Sequence, residues 1–240
     1  MNWHLYTKGT IVVLLLFLFS CKEKVYTPKV IYESPKREEA KPKDTSEVLV
    51  ADLPIHFANT DVLLHPVGKI RSYSGKLTTY ESGAYSYTIT NLGDTEITGY
   101  LDNLLVQKIT QDTLVPLLSE KKMITSITFL RKHFEKTQKP FLLLAMYDQD
   151  TNKDQLINTN DIKAMYLSEI DGDKLTKISP NQMEWIDWNY QESLQRIYFR
   201  CVADTDQNGK FEKSDKVHYF YVDLKANLWE AKEYFPVGNL

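Results

Sequence analysis

Two polar stretches constrain this chain more than any other feature. Residues 150–161 read DTNKDQLINTND, and residues 204–215, 54 positions further on, read DTDQNGKFEKSD. Acids and amides alternate through the first half of each, and an aspartate closes both. The flanking runs are FLLLAMY and IKAMYLSEI around the first and IYFRCVA and VHYFYVDL around the second. VHYFYVDL alternates its side chains between two faces and is a poor helix former. FLLLAMY is apolar on both faces, as a strand inside a sheet must be. A chain that twice inserts a long acidic loop between such runs is built on antiparallel β-structure.

The correspondence extends beyond the loops. At the same offset Asp150 falls on Asp204, Asn152 on Asp206, Asp154 on Asn208, Ile157 on Phe211 and Asp161 on Asp215. Further on, Tyr166 meets Phe220, Glu169 meets Asp223 and Leu175 meets Trp229. Each copy reads as strand, loop, strand, turn and short strand, preceded by a further strand, ITSITFL or QMEWIDW. The repeat units are placed near 123–178 and 181–236, with an earlier unit lacking the loop over about 70–120. The predicted strands are 85–91, 96–107, 124–130, 141–147, 163–170, 196–203 and 217–224, separated by turn clusters such as ESG, NLGD and EIDGDK. Residues 119–122 and 134–138 are the candidates for short helix or turn. The 15 Tyr, 10 Phe and 4 Trp agree with a pleated, half-buried framework.

The spacing within the loops resembles the EF-hand loop, which takes ligands at positions 1, 3, 5, 7 (a backbone carbonyl), 9 and 12 and a glycine at 6. In the second loop these are Asp204, Asp206, Asn208, Lys210 through its carbonyl, Glu212 and Asp215, with Gly209 in the turn. In the first they are Asp150, Asn152, Asp154, Leu156 through its carbonyl, Asn158 and Asp161. Gln155 stands where the glycine belongs, and a left-handed non-glycine residue there costs about 1 kcal/mol. An oxygen-only donor set rich in carboxylates suits a hard cation, and Ca2+ with its flexible shell more than Mg2+. One or two calcium ions are expected, structural in role. The closing Asp, shorter than Glu, points to weak sites with Kd of about 10⁻⁴–10⁻³ M, the range of extracellular modules. The first loop also resembles a dockerin repeat, in which a helix follows each loop. That alternative would make the domain a calcium-responsive adhesion or regulatory module.

Four strands over some fifty residues resemble a β-propeller blade, and MYLSEIDGDKLTKIS is similar to the repeat of Tol-system-type periplasmic propellers. The expected fold is therefore all-β, with about three propeller-like antiparallel blades and a β-sandwich as the alternative. Three blades fall short of a closed propeller, so an open stack or closure by oligomerisation would complete it.

The N-terminus supplies an address. Residues 11–19 (IVVLLLFLF) form a nine-residue apolar run after a segment with Lys8 and no acid. As a helix it would rise about 14 Å, short of a bilayer core of ~30 Å, and so reads as the h-region of a signal peptide over 1–20. The run ends Leu18-Phe19-Ser20-Cys21, which resembles the lipobox of bacterial lipoproteins. The resemblance implies cleavage before Cys21 and lipidation (palmitate) of that residue, and Lys22 after it favours the outer membrane. Residues 21–52 alternate Lys and Glu around Pro28, Pro35 and Pro42 and read as a charged tether, with the β-rich domain over 53–240. The membrane, through the lipid, and an envelope protein or glycan are the expected partners.

With Cys21 lipidated, Cys201 has no partner for a disulfide and reads as a small buried hydrophobe. A net charge of −3 without a basic stripe excludes nucleic-acid binding. His56, His65, His133 and His218 are scattered, Trp185, Trp188 and Trp229 read as core, and no nucleophile elbow or phosphate loop occurs. The chain is accordingly read as a binding or scaffolding module, not an enzyme; an enzyme accessory is the least favoured alternative.

Overall fold

The computed structural model describes Val30, residues 48–70 and residues 88–238. The apolar run, the lipobox with Cys21 and most of the segment read as a tether lie outside these residues. No helix among the described residues is long and apolar enough to cross a membrane.

The first part of the domain contributes β1 (Val48–Ala51), β2 (Val62–Ile70), β3 (Thr90–Leu92), β4 (Glu96–Lys108) and β5 (Val115–Pro116). Then come β6 (Met123–Phe129), α1 (Arg131–Thr137), β7 (Phe141–Tyr147), β8 (Lys163–Glu169) and β9 (Thr176–Lys177). The last four strands are β10 (Met183–Gln191), β11 (Arg196–Ala203), β12 (Lys216–Asp223) and β13 (Lys232–Tyr234). All pairings are antiparallel.

The strands form two open sheets. One has nine strands, with the path β1-β2-β4-β6-β7-β8-β9 and with β3 and β5 also on β4. The other is a four-stranded meander, β10-β11-β12-β13. The second repeat unit is thus a sheet of its own, as a blade would be. The first is not: β6–β9 make the same meander, but β6 continues through β4 into β2 and β1. The expected set of propeller blades is not shown. The arrangement is all-β and compatible with the sandwich alternative. The physical reason lies in β4, thirteen residues long, whose register shifts between Thr98 and Leu101. Such an irregularity bends a strand and lets it serve two neighbours along its length. β4 pairs with β6 through Glu96–Leu101 and with β2 through Leu101–Lys108, which carries the sheet on past the repeat boundary.

β7 and β8 sit between two cores. Every residue of β7 is buried. Its even-numbered side chains, Leu142, Leu144 and Met146, join Ala164 and Tyr166 of β8 in a cluster with Leu64, Ile97 and Ile127. Its odd-numbered Phe141 and Leu143, with Met165 and Leu167 of β8, meet Ile197, Phe199 and Cys201 of β11 and Val222 of β12. The period-two alternation of a strand divides one apolar run between both sides of the sheet. Trp229 is in the second cluster and meets Phe141 edge-on at 4.9 Å between ring centres. Cys201 is fully buried, and burial pushes its thiol up to about 12, which leaves it inert.

Two boundaries differ from the sequence reading. β1 begins at Val48 and pairs with β2, so the domain starts earlier than Leu53. α1 begins at Arg131, ahead of the expected 134, with no side-chain cap on its first turn, and this is why its start left no signal. It ends at a left-handed Gln138 just before Pro140.

Candidate metal centre

β11 runs out of the smaller sheet at Ala203, and β12 re-enters it at Lys216 in direct register with Ala203. The chain between them folds back on itself by bonding its own side chains to its own backbone. Both oxygens of Asp204 accept backbone N–H groups, Oδ1 from Asn208 at 3.1 Å and Oδ2 from Gly209 at 2.7 Å. Asp206 Oδ1 accepts from Asn208 N at 3.1 Å, and Asn208 Oδ1 accepts from Lys210 N at 2.9 Å. Asp215 closes the loop, accepting from Thr205 N at 3.0 Å and from Glu212 N at 2.7 Å. Thr205 Oγ1 accepts from Lys216 N at 3.0 Å, which ties the loop to the first residue of β12.

The first loop follows the same template between β7 and β8. Asp150 accepts from Asp154 N at 3.1 Å and from Gln155 N at 2.7 Å. Asn152 Oδ1 accepts from Asp154 N and Asp154 Oδ1 from Leu156 N, both at 2.9 Å. Asp161 accepts from Thr151 N and Asn158 N, both at 2.8 Å, and Thr151 Oγ1 accepts from Ile162 N at 3.0 Å. The backbone matches as well. Positions 4 and 6 are left-handed in both copies: Lys153 (φ 58°) and Gln155 (φ 67°) in the first, Gln207 (φ 57°) and Gly209 (φ 82°) in the second. Gln155 adopts the glycine conformation and makes the glycine's hydrogen bond. The missing glycine therefore leaves the turn's shape intact and adds only conformational cost.

The two loops differ in what they gather. Asp204, Asp206 and Asp215 each offer a carboxylate oxygen within 4.8 Å of the others, a group that could hold a metal ion. Asp204 is buried, Asp215 half-buried and Asp206 exposed, so the group opens to solvent on one side. Three like charges this close repel, and a cation among them would offset that repulsion. Each carboxylate has about four lone-pair sites, so the backbone bonds leave acceptor capacity for an ion. Asn208 turns its Nδ2 to Asp206 at 2.9 Å and its Oδ1 to Lys210 N, so the group consists of the three carboxylates alone, oxygen donors without nitrogen or sulfur. The residues present fit a hard cation. The carboxylate of Glu212, the expected position 9, is outside the group of three.

No second such group forms among the described residues, so Asp150, Asp154 and Asp161 do not converge in the same way. Position 3 is the amide Asn152, so no carboxylate stands where Asp206 does in the second loop. Asp161 is fully buried. Burial raises its proton affinity, and its backbone hydrogen bonds work against that rise. The side-chain oxygen of Asn158 is taken locally by Asn160 N at 2.8 Å. Three participants have no place in the sequence reading. Thr151 and Thr205 occupy position 2 of both loops, and their identity across the copies was a readable signal. Val30 had none: it is buried, and its N–H donates to Gly209 O at 3.2 Å.

Compared with known proteins, the chain matches no family model and no curated sequence.

Proposed function

We propose that this chain is a lipid-anchored envelope protein whose β-domain carries structural calcium and acts as a binding or scaffolding module. The observation that supports it best is the shared hydrogen-bond template of the two strand-linking loops, with three carboxylates drawn together in one of them. Asp204, Asp206, Asn208 and Asp215 would hold the ion in the second loop, with Lys210 and Glu212 completing its coordination. Asp150, Asn152, Asp154 and Asp161 would form a weaker site. Bound calcium supplies positive charge that cancels repulsion among these side chains.

The chain's own contribution is positional. Thr151 and Thr205 fix the loop ends to the following strands, and the left-handed residues at positions 4 and 6 bend the chain back within each loop. A strand follows each loop, where a dockerin or sensor EF-hand has a helix. Without helix pairs to open, the loops favour a clip over a calcium-responsive switch.

Calcium titration followed by melting tests the metal. At a hundredfold excess over Kd the ion stabilises the folded state by about 2.7 kcal/mol, and for a chain of this size each kcal/mol moves Tm by about 2–4 °C. The double variant Asp204→Ala, Asp206→Ala should lose most of that rise; an unchanged response would remove the metal from the proposal. Partner binding that requires calcium would replace the structural role with the regulatory one. For the anchor, Cys21→Ala should release the chain from the membrane fraction, and retention there would overturn lipidation.

A further inference from the structure

A second site lies at the other end of the same strands. β7 starts and β8 finishes at the end opposite the first loop, and β12 finishes at the end opposite the second. There, about 20 Å away along seven or eight residues of strand, a cavity of about 210 Å³ opens where three turns converge. The turn after α1 brings Lys139, the β8–β9 turn brings Lys174, and the β12–β13 turn brings Lys225. Against these three lysines the lining holds one acidic residue, Glu169.

Neither Lys139 nor Lys174 forms an ion pair among the described residues. Lys225 reaches Asp223 only at 4.0 Å. The Lys174 ammonium sits 4.6 Å from the centre of the Trp229 ring. Trp229 also lines the cavity and is 2% exposed. Its indole N–H is buried and has no hydrogen-bond partner among the described residues. A buried donor left unpaired costs about 1–3 kcal/mol, so a native structure seldom keeps one without a ligand or water to meet it. An acceptor carrying negative charge that reached the indole N–H from the cavity would pair it and balance the lysine charge at once.

We propose that this cavity binds a compact tetrahedral oxyanion, phosphate or sulfate, free or as an ester group on a larger molecule. Lysines act as point charges with rotatable donors and suit such an ion, with no need for the planar fork an arginine would bring to a carboxylate. The volume is below the ~300–1,000 Å³ of sites that enclose a whole drug-sized ligand. It admits the charged group and leaves any remainder outside. The site shares no residue with the metal loops and does not depend on calcium.

The test is a titration of the full chain, labelled with ¹⁵N-tryptophan, with sodium phosphate and with sodium chloride at equal low ionic strength. The Trp229 indole signal is identified by its loss in Trp229→Phe. Phosphate should move that signal saturably and leave those of Trp185 and Trp188 in place. Lys174→Gln and Lys225→Gln should each weaken the effect about tenfold, the loss of one charge-assisted hydrogen bond. Inorganic sulfate and glucose 6-phosphate then separate the sources: tighter binding of the ester supports a ligand-borne group, tighter binding of the inorganic ions a free one. An unmoved signal, an equal response to chloride, or a response indifferent to both lysine substitutions would overturn the proposal. If Trp229→Phe fails to fold, melting of the unsubstituted chain replaces it. Phosphate must then raise Tm more than chloride does, and Lys174→Gln must cancel the difference.

Discussion

The sixth position of each acidic loop makes a sharp experiment, because the same left-handed turn holds Gly209 in one copy and Gln155 in the other. Gly209→Ala should destabilise the domain through two separable effects. A side chain in this backbone region costs about 1–2 kcal/mol relative to glycine. In addition, a Cβ at residue 209 would meet the Val30 carbonyl oxygen at 2.5 Å, a distance no relaxed contact allows. Relieving that overlap means moving backbone that Val30 N–H holds to Gly209 O, at a cost of about 1–3 kcal/mol, as for other overpacking. The sum is about 2–5 kcal/mol, or a fall in Tm of several degrees. Gln155→Gly is the mirror experiment: it removes the conformational cost alone and should stabilise by about 1 kcal/mol. Urea unfolding of both variants, in the full chain and in a chain beginning at Val48, separates the effects. The shorter chain lacks Val30, so Gly209→Ala should there cost only the conformational part. An equal cost in both chains would show that the Val30 contact carries no weight. A neutral Gly209→Ala in either would refute the account of the turn.

Three further outcomes follow from buried groups. Burial pushes the Glu184 carboxyl up to about 7, against the hydrogen bond it accepts from Lys163 N at 2.6 Å. The folded state therefore holds this proton more tightly than the unfolded chain does. The resulting stability is full below about pH 4.5 and fades as pH rises through 7, and Glu184→Gln should gain up to about 3 kcal/mol at pH 8 in a urea titration. His133 runs the other way. Burial, aided by Lys139, lowers it to about 4, so its stability is present above pH 6.5 and fades as pH falls through 4; His133→Gln should flatten the acid limb of a melting-versus-pH profile. Between about pH 4.5 and 6.5 the two slopes oppose each other, and each single variant should expose the other's. Leu144→Ala, at a fully buried position of β7, should cost about 2–5 kcal/mol by chemical denaturation and lower Tm accordingly.

Strand identity was legible because β7, β11 and β12 write their faces into the sequence. β7 and β11 fall on the predicted 141–147 and 196–203, and β12 is displaced by one residue. The 54-residue spacing of the two loops was legible too, and the bonds of Asp150 to Gln155 N and of Asp204 to Gly209 N recur at it. Sheet membership was not. Nothing local in GYLDNLLV announces that β4 will bend and draw the first unit into a larger sheet, because edge partners are chosen by the whole fold. β2 was missed for a related reason: VLLHPVGKI contains Pro66 and Gly68, residues that argue against a central strand. At the candidate metal site, residue types and order were readable. Convergence was not, since whether three carboxylates meet depends on an amide or an acid at position 3 and on how deeply the closing aspartate is buried. The lysine-lined cavity had no sequence signal at all: its charges come from three turns far apart in the chain.

The hairpin of β7 and β8 belongs to both hydrophobic clusters at once, with one face given to each. Neither half of the domain can shed its interior without stripping one side of the same two strands. The protein thus has two interiors but a single cooperative unit, and heat should melt it in one transition. Amide protons along β7 should exchange with solvent only through complete unfolding, and so report the stability of the whole from seven residues.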